Sequence, residues 1–333
     1  MKPMMVMTPV FELVDSWMAA GYFSGASFLL ADQNGTICER YWGNQSPASV
    51  VYLASAGKWL AAATILSVVD SGHINLEDCA SKWIPAWSDA KGQATLRQML
   101  AHTSGYPAYQ PAGALPDIYQ TLAESVAHLA PLGAETPAGT HWNYGGLAMQ
   151  VAGHMAELAT GRDWETLFQE RIAGPLGMTA THFTPVDSSR GHNPMLGGGA
   201  RGTLQDYARF LSMMFNGGMA GDKHVLSRTA VELIEANQVQ AAHLPVENFV
   251  YEVRPHQHHG IYGLGVWREI ENEQGMATLI SSPSWAGTYP WIDREAEIYG
   301  IFLTHVSSNA PADFNPMFAS AEIPIVIRKQ LTR

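Results

Sequence analysis

The chain has 333 residues, 47% of them apolar and 15% charged, with a formal net charge of −11; that is material for one large or two intimately joined domains and leaves no case for disorder. Thirteen arginines and six lysines are scattered without a basic run, which excludes a phosphate-reading nucleic-acid surface and argues against an anionic membrane surface. No segment reaches the ~18 apolar residues of a membrane span, and Met1–Thr8 lacks the apolar stretch and cleavage site of a signal peptide. The expectation is a soluble, cytoplasmic protein without membrane insertion, or a periplasmic one if a leader has been removed.

An amphipathic helix is predicted over about Pro9–Ala20, with Phe11, Val14, Trp17 and Met18 on one side. Strands Ala26–Ala31 and Thr36–Trp42 follow, joined by Asp32-Gln33-Asn34-Gly35, whose Asn-Gly pair is a hairpin signal. After a short strand at Val51–Leu53 comes a helix over Ser55–Val69, apolar on nearly every side and so expected in the middle of a large protein. Residues 75–185 read as helical, with segments at Leu96–His102, Ile118–Leu129, Leu147–Leu158 and Trp164–Ile172 between Gly/Pro loops. A loop spans residues 185–202. Helices Leu204–Phe215 and Ser227–Ala236 follow, then strands Gly263–Glu269, Ala277–Ser281, Thr288–Ile292 and Ile298–His305, and a closing helix over Pro316–Gln330.

Strands open and close the chain while helices fill its centre. The fold class is therefore α/β in the α+β sense: an antiparallel sheet of N- and C-terminal strands, flanked by helices. Residues 1–74 and 186–333 would form the sheet domain and residues 75–185 an inserted helical domain, with the active site in the cleft between them. Cys38 and Cys79 lie far apart and read as two buried free thiols; two isolated cysteines build no thiolate metal site.

The sharpest local motif is Ser55-Ala56-Gly57-Lys58 at the start of the apolar helix. Residues three apart share a helix face, so the hydroxyl and the amine can touch. Free N–H groups at a helix start can hold an oxyanion, and apolar neighbours lower a lysine's pKa and make it a base. The spacing alone also fits an N-cap serine beside a surface lysine, but a solvated lysine needs no apolar helix around it. Two later features support the catalytic reading. His141-Trp142-Asn143-Tyr144-Gly145-Gly146 puts a phenol on a tight loop, where Tyr144 could share the proton of Ser55 and Lys58 and protonate a leaving group. Ser284-Trp285-Ala286-Gly287-Thr288 leads into a strand, where a glycine lets a substrate lie close and an N–H could complete an oxyanion hole.

In this order the motifs resemble the serine β-lactamase and penicillin-binding-protein superfamily, nearest to class C β-lactamases and family VIII carboxylesterases. Leu100-Ala101-His102-Thr103-Ser104-Gly105, Tyr144 to Glu157, Gly174-Pro175-Leu176-Gly177-Met178 and Gly287-Thr288-Tyr289-Pro290-Trp291 extend the resemblance over about residues 10–310. It implies an acyl-enzyme on Ser55, with Lys58 and Tyr144 as proton-transfer partners and the N–H groups of Ser55 and Thr288 as the oxyanion hole, without metal or cofactor. The chain departs from β-lactamases at Gly146, where they usually have the asparagine of Tyr-x-Asn, and at Trp285, where they usually have a lysine. A Trp there resembles the family VIII esterases. Loss of a charge-assisted partner should cost a carboxylate substrate roughly 1.5–3 kcal/mol, so neutral apolar acyl esters are the expected substrates, with Trp285, Gly287, Tyr109 and Gly146 lining their site.

Two rival functions remain. The same machinery could act on amides, as a weak β-lactamase or D-amino-acid peptidase, and a carboxylate-binding arginine in the cleft, with Arg201 as candidate, would favour that. A non-catalytic sensor or scaffold would carry a damaged Ser, Lys or Tyr, whereas all three are present. No Gly-x-Ser-x-Gly occurs. His256, His258 and His259 read as a polar loop and not a zinc site. His102 reads as a structural histidine capping a loop. Tyr106, Tyr109, Trp142 and Trp285 could line an acyl pocket, although each taken singly fits ordinary packing. Oligomeric state is not legible.

Overall fold

The computed structural model describes residues 2–109, 121–183, 193–244 and 261–331. After helix α1 (Lys2–Ala19), strands β1 (Phe23–Asp32) and β2 (Gly35–Gly43) form the expected hairpin. The Asp32 carboxylate accepts the Asn34 N–H at 2.7 Å, and Gly35 takes φ +120° to close the turn. The late strands are β7 (Trp267–Glu271), β8 (Ala277–Ser281), β9 (Tyr289–Asp293) and β10 (Ile298–Val306). All six make one antiparallel sheet in the order β2-β1-β10-β9-β8-β7, so the first hairpin joins the end of the chain through β1 and β10. Two two-residue pairs lie outside it: β3 (Val51–Tyr52) with β4 (Arg201–Gly202), and β5 (Met219–Ala220) with β6 (Lys223–His224).

Both sheet faces are covered. Leu29, Ile280, Ile292, Ile301 and Leu303 point into the main core, which also takes in helix α2 (Gly57–Asp70), the central helices α3 (Ala80–Trp83), α4 (Leu96–Leu100), α5 (Leu122–Leu129), α6 (Leu147–Thr160) and α7 (Trp164–Phe168), and, past the short helix α8 (Gly174–Leu176), helix α9 (Leu204–Phe215). Helix α10 (Arg228–Glu235) joins the main core through Ala230, Val231 and Ile234, while Phe28, Leu279, Trp291 and Phe302 point the other way, under α1 and the closing helix α11 (Pro316–Leu331). The sheet thus presents one face to a helical pair and the other to the body that carries Ser55. Arg328 on α11 fixes that arrangement by a forked contact with Asp293, at 2.5 and 2.8 Å. Asp293 is only 1% exposed. Arg328→Ala is expected to destabilise the fold by roughly 3 kcal/mol, because it strands a buried carboxylate; chemical denaturation measures this, and a loss under 1 kcal/mol would mean that Asp293 is satisfied without it.

Several boundaries differ from expectation. The first helix begins before Pro9 and carries it inside. The strand expected at Gly263–Glu269 starts only at Trp267, because Gly263–Val266 is a tight turn with Gly265 at φ +74°. Helix α5 begins at Leu122, where a Thr121/Glu124 capping box fixes its start. The loop expected over residues 185–202 ends in β4. Both cysteines are free but half-buried, with burial pushing the Cys38 thiol up to about 11. Among the described residues no helix is long and apolar enough to cross a membrane and no group of metal-ligating side chains occurs; the triplet at 256–259 lies outside them.

Candidate active site

Ser55 does not open the long helix directly. It sits in a single 3-10 turn (Ala54–Ala56) that runs into α2 at Gly57. The turn is tied down on both sides: the Leu53 N–H donates to the Ala200 carbonyl at 2.8 Å and the Ala56 N–H to the Leu53 carbonyl at 3.1 Å. Ala54 is held at φ +48°, a left-handed conformation that costs an alanine about 1 kcal/mol or more. This turn leaves Ser55 half-buried, with Lys58 in the first turn of α2 behind it.

Lys58 is 2% exposed among apolar residues of a helix with twelve buried positions. Its ammonium donates to Ser55 Oγ at 3.1 Å and to the carbonyl of Gly197 at 2.5 Å. Burial lowers its pKa from 10.5 to about 7. A lysine in that state is a neutral base for a large fraction of molecules near physiological pH. Tyr144 stands over it, with the Lys58 nitrogen 4.7 Å from the phenol ring centroid. The ring is held in an aromatic cage: His102 at 4.8 Å, Trp267 at 5.2 Å, Tyr262 at 6.0 Å and Trp142 at 6.1 Å between centroids.

His102 belongs to that cage, with its Nε2 3.2 Å from the Tyr262 hydroxyl. Its backbone carbonyl accepts the Asn143 N–H at 2.8 Å, while its imidazole packs against Tyr144. Burial, and secondarily the charge of Lys58, keep His102 well below its usual pKa. It is therefore a neutral wall of the site.

Gly197 was not visible as a functional residue, because its contribution is a backbone carbonyl. The loop that carries it is fixed by Gln150 on α6, a buried amide whose Oε1 accepts the Leu196 N–H at 2.6 Å and whose Nε2 donates to Asn193 Oδ1 at 2.7 Å. A single polar residue within the apolar run Leu147–Gly153 is the only signal the sequence held for it. Gln150→Leu is expected to release residues 193–199 and lower kcat by about tenfold, since the lysine's second acceptor is then no longer fixed; a kcat within twofold of the parent would show that the loop holds itself.

Gly146 packs on the same loop. A Cβ built on Gly197 would lie 2.8 Å from the Gly146 Cα, whereas one built on Gly146 has nothing nearer than 4.0 Å. The missing asparagine thus coincides with a close backbone approach. Gly197→Ala is expected to cost roughly 1–3 kcal/mol of stability and most of the activity, and Gly146→Ala neither; equal effects at the two positions in thermal melts and turnover would contradict this asymmetry.

Of the remaining expected residues, Tyr109 and Trp285 are exposed and Gly287 and Thr288 are buried. Tyr109 is 62% exposed and follows Ala108, whose carbonyl accepts the Gly146 N–H at 2.9 Å. Trp285 is 53% exposed on a turn closed by Ser284 N–H to Thr288 carbonyl and Gly287 N–H to Ser284 carbonyl. Gly287 has φ +101°, its side-chain position is filled by Phe23 and Thr304, and its carbonyl accepts from Ser320. The glycine is explained by packing under the closing helix. Thr288 is fully buried, with its hydroxyl donating to the Thr304 carbonyl. The side chain of this segment that reaches the nucleophile is Ser282, whose Oγ donates to the Ser55 carbonyl at 3.3 Å. Ser282 was not singled out from sequence, since its contact depends on where the end of the strand meets the turn of Ser55.

Comparison with known proteins agrees with this architecture. A crystal structure of a putative β-lactamase from Bacteroides dorei superposes with a TM-score of 0.93 at 42% identity, covering 98% of this chain and 99% of that one. The hydrolase EstCE1, with promiscuous acyltransferase activity, shares the fold at TM-score 0.76 and 18% identity, covering 97% of this chain and 99% of that one. A putative D-alanyl-D-alanine carboxypeptidase of Escherichia coli O157:H7 is 26% identical over 94% of this chain and 86% of its own. The match to the carboxypeptidase/endopeptidase AmpH of Escherichia coli K12, at 27% identity, spans 49% of this chain and about half (46%) of that relative. The family model described as Beta-lactamase matches residues 10–320, and with a Ser55–Lys58 pair under Tyr144 at the edge of its antiparallel sheet, this chain belongs to the β-lactamase family.

Proposed function

We propose that the protein is a carboxylesterase acting on small or medium apolar acyl esters through an acyl-enzyme on Ser55. The observation that carries this reading is the buried Lys58 ammonium, bonded to Ser55 Oγ and the Gly197 carbonyl beneath the Tyr144 ring. Lys58 in its neutral form takes the Ser55 proton as the hydroxyl attacks the ester carbonyl. The oxyanion is held by the Ser55 N–H at the helix start and by a second backbone donor from the 282–288 segment, with Thr288 the candidate. The proton passes through Tyr144 to the leaving alcohol, and water or a second alcohol frees the acyl group.

Ester over amide is favoured by the 282–288 segment. Its Ser282 reaches the Ser55 carbonyl, and it carries the neutral Trp285 with no lysine to hold a carboxylate. EstB of Burkholderia gladioli, named an esterase, is 28% identical over 41% of this chain. The test compares p-nitrophenyl butyrate with nitrocefin on the wild type. Ester kcat/KM should exceed that for nitrocefin by at least 100-fold; comparable values would move the reading to a β-lactamase or peptidase, and silence on both in folded protein to a ligand sensor. The reading is of a protein needing no metal, cofactor or nucleic acid.

A further inference from the structure

His141 stands just before Trp142 on the loop that delivers the Tyr144 phenol to Lys58. Its ring meets that of His243, from a distant part of the chain, with centroids 5.3 Å apart and planes at 73°. Both residues are exposed. Main-chain bonds bring them together: the Trp142 N–H donates to the His243 carbonyl at 2.9 Å, and the His243 N–H donates to the Thr140 carbonyl at 2.8 Å. The pairing of the rings is therefore built on backbone and does not rest on two mobile side chains alone.

Thr140 decides what His141 offers to solvent. The Thr140 hydroxyl donates its one proton to the Pro137 carbonyl at 2.6 Å, so toward His141 Nδ1, 2.9 Å away, it acts as acceptor. In the neutral imidazole Nδ1 then carries the proton, and Nε2 keeps a free lone pair. A ring whose other nitrogen is held in this way is the usual form of a metal-binding histidine. The spacing fits as well. An ion about 2.1 Å from one nitrogen of each ring, at a tetrahedral angle, sets the two centroids about 5.2 Å apart, against the 5.3 Å found. The one imidazole in an ion pair among the described residues is His154, so neither ring of this pair is taken up by a carboxylate. The described residues hold no group of three or more such side chains. Water would complete the coordination of an ion held by two, which suits an exchangeable ion and not a structural one.

We propose that His141 and His243 form a two-imidazole site for Zn²⁺, which staples the loop of Tyr144 to the segment that carries His243. Imidazole nitrogen selects Zn²⁺ over the oxygen-seeking Mg²⁺ and Ca²⁺. Val239 and Ala242, beside His243, pack with Trp142 and Tyr144 in one cluster, so the ion would clamp two walls of the same cage. It is accessory to the reaction proposed for Ser55, which needs no metal.

Titration calorimetry of metal-free protein with Zn²⁺ at pH 7.5 is the test. Wild type should bind Zn²⁺ in the presence of excess Mg²⁺. His141→Ala and His243→Ala should each weaken this binding by about tenfold or more, and the double variant no further, because either change alone breaks the chelate. Both residues are exposed, so the variants should fold. Exchange of the Trp142 and His243 amide protons should slow when Zn²⁺ is added to wild type and not when it is added to either variant. Wild-type affinity in either single variant, or no binding by folded wild type, would overturn the site. Amide exchange unchanged by bound Zn²⁺ would overturn the staple. Neither readout needs ester turnover, so failure of the esterase reading would leave both standing.

Discussion

Replacing Ser55 by alanine is expected to lower kcat/KM for p-nitrophenyl butyrate by about 10⁴-fold or more while leaving the fold intact. The magnitude follows from removing the proposed nucleophile: what would remain is binding plus oxyanion stabilisation, which act on attacking water alone. The fold should tolerate the change, because Ser55 is half-buried and the turn that carries it is held by backbone bonds from Leu53 and Ala56 and not by its own hydroxyl. Mass spectrometry after mixing with a slowly deacylated ester should find the acyl adduct on Ser55 in the wild type and none in the variant. An adduct elsewhere, or ester turnover within tenfold of wild type, would remove Ser55 from the mechanism.

Lys58→Met should lose roughly 10³-fold in kcat, in the range of a missing general base, and should make the protein more stable. Burial lowers the lysine's pKa from 10.5 to about 7. Between those values the unfolded chain binds a proton that the folded chain does not, so stability rises as pH climbs through that window. Below about 7 the folded protein carries the buried charge and the penalty is complete. Methionine removes it, so the variant's advantage, on the order of a few kcal/mol, should be largest below pH 7 and shrink toward pH 10.5. The wild-type rate should rise through pH ~7 as Lys58 loses its proton. Denaturant melts at pH 6 and 9 with a pH–rate profile check both. A variant less stable than wild type at pH 6 would mean that Lys58 contributes more as a donor to Gly197 than it costs as a buried cation.

The fold was legible because its signals are local and strong. Asn34-Gly35 between two apolar runs, the all-round apolar helix from Gly57, and late strands with alternating or continuous apolar character each specify an element by themselves. The contact of Ser55 with Lys58 was legible for the same reason, as side chains in fixed local spacing, whereas Tyr144, in a separate loop, was placed beside them by the family resemblance. The Gly197 carbonyl, the clamp by Gln150, and the approach of Ser282 depend on where separate loops meet, and no spacing rule within one segment encodes that. The 282–288 segment shows the limit most clearly. Its glycine has a second reason that only the tertiary structure shows: a side chain there would run into Phe23 and Thr304.

The bond from Lys58 to the Gly197 carbonyl has a consequence for how this site can change over generations. A main-chain acceptor belongs to no codon, so no single substitution deletes the atom itself. Point changes act on it only by bending the path between Asn193 and Ala200. A scan of side chains would then find a glycine and a distant glutamine sensitive for no visible chemical reason. Replacing the peptide bond after Gly197 by an ester weakens that carbonyl as an acceptor while keeping every side chain. It also removes the Gly198 N–H that donates to the Met195 carbonyl at 2.8 Å, so the dependence would be read against a second ester that removes only such a turn bond.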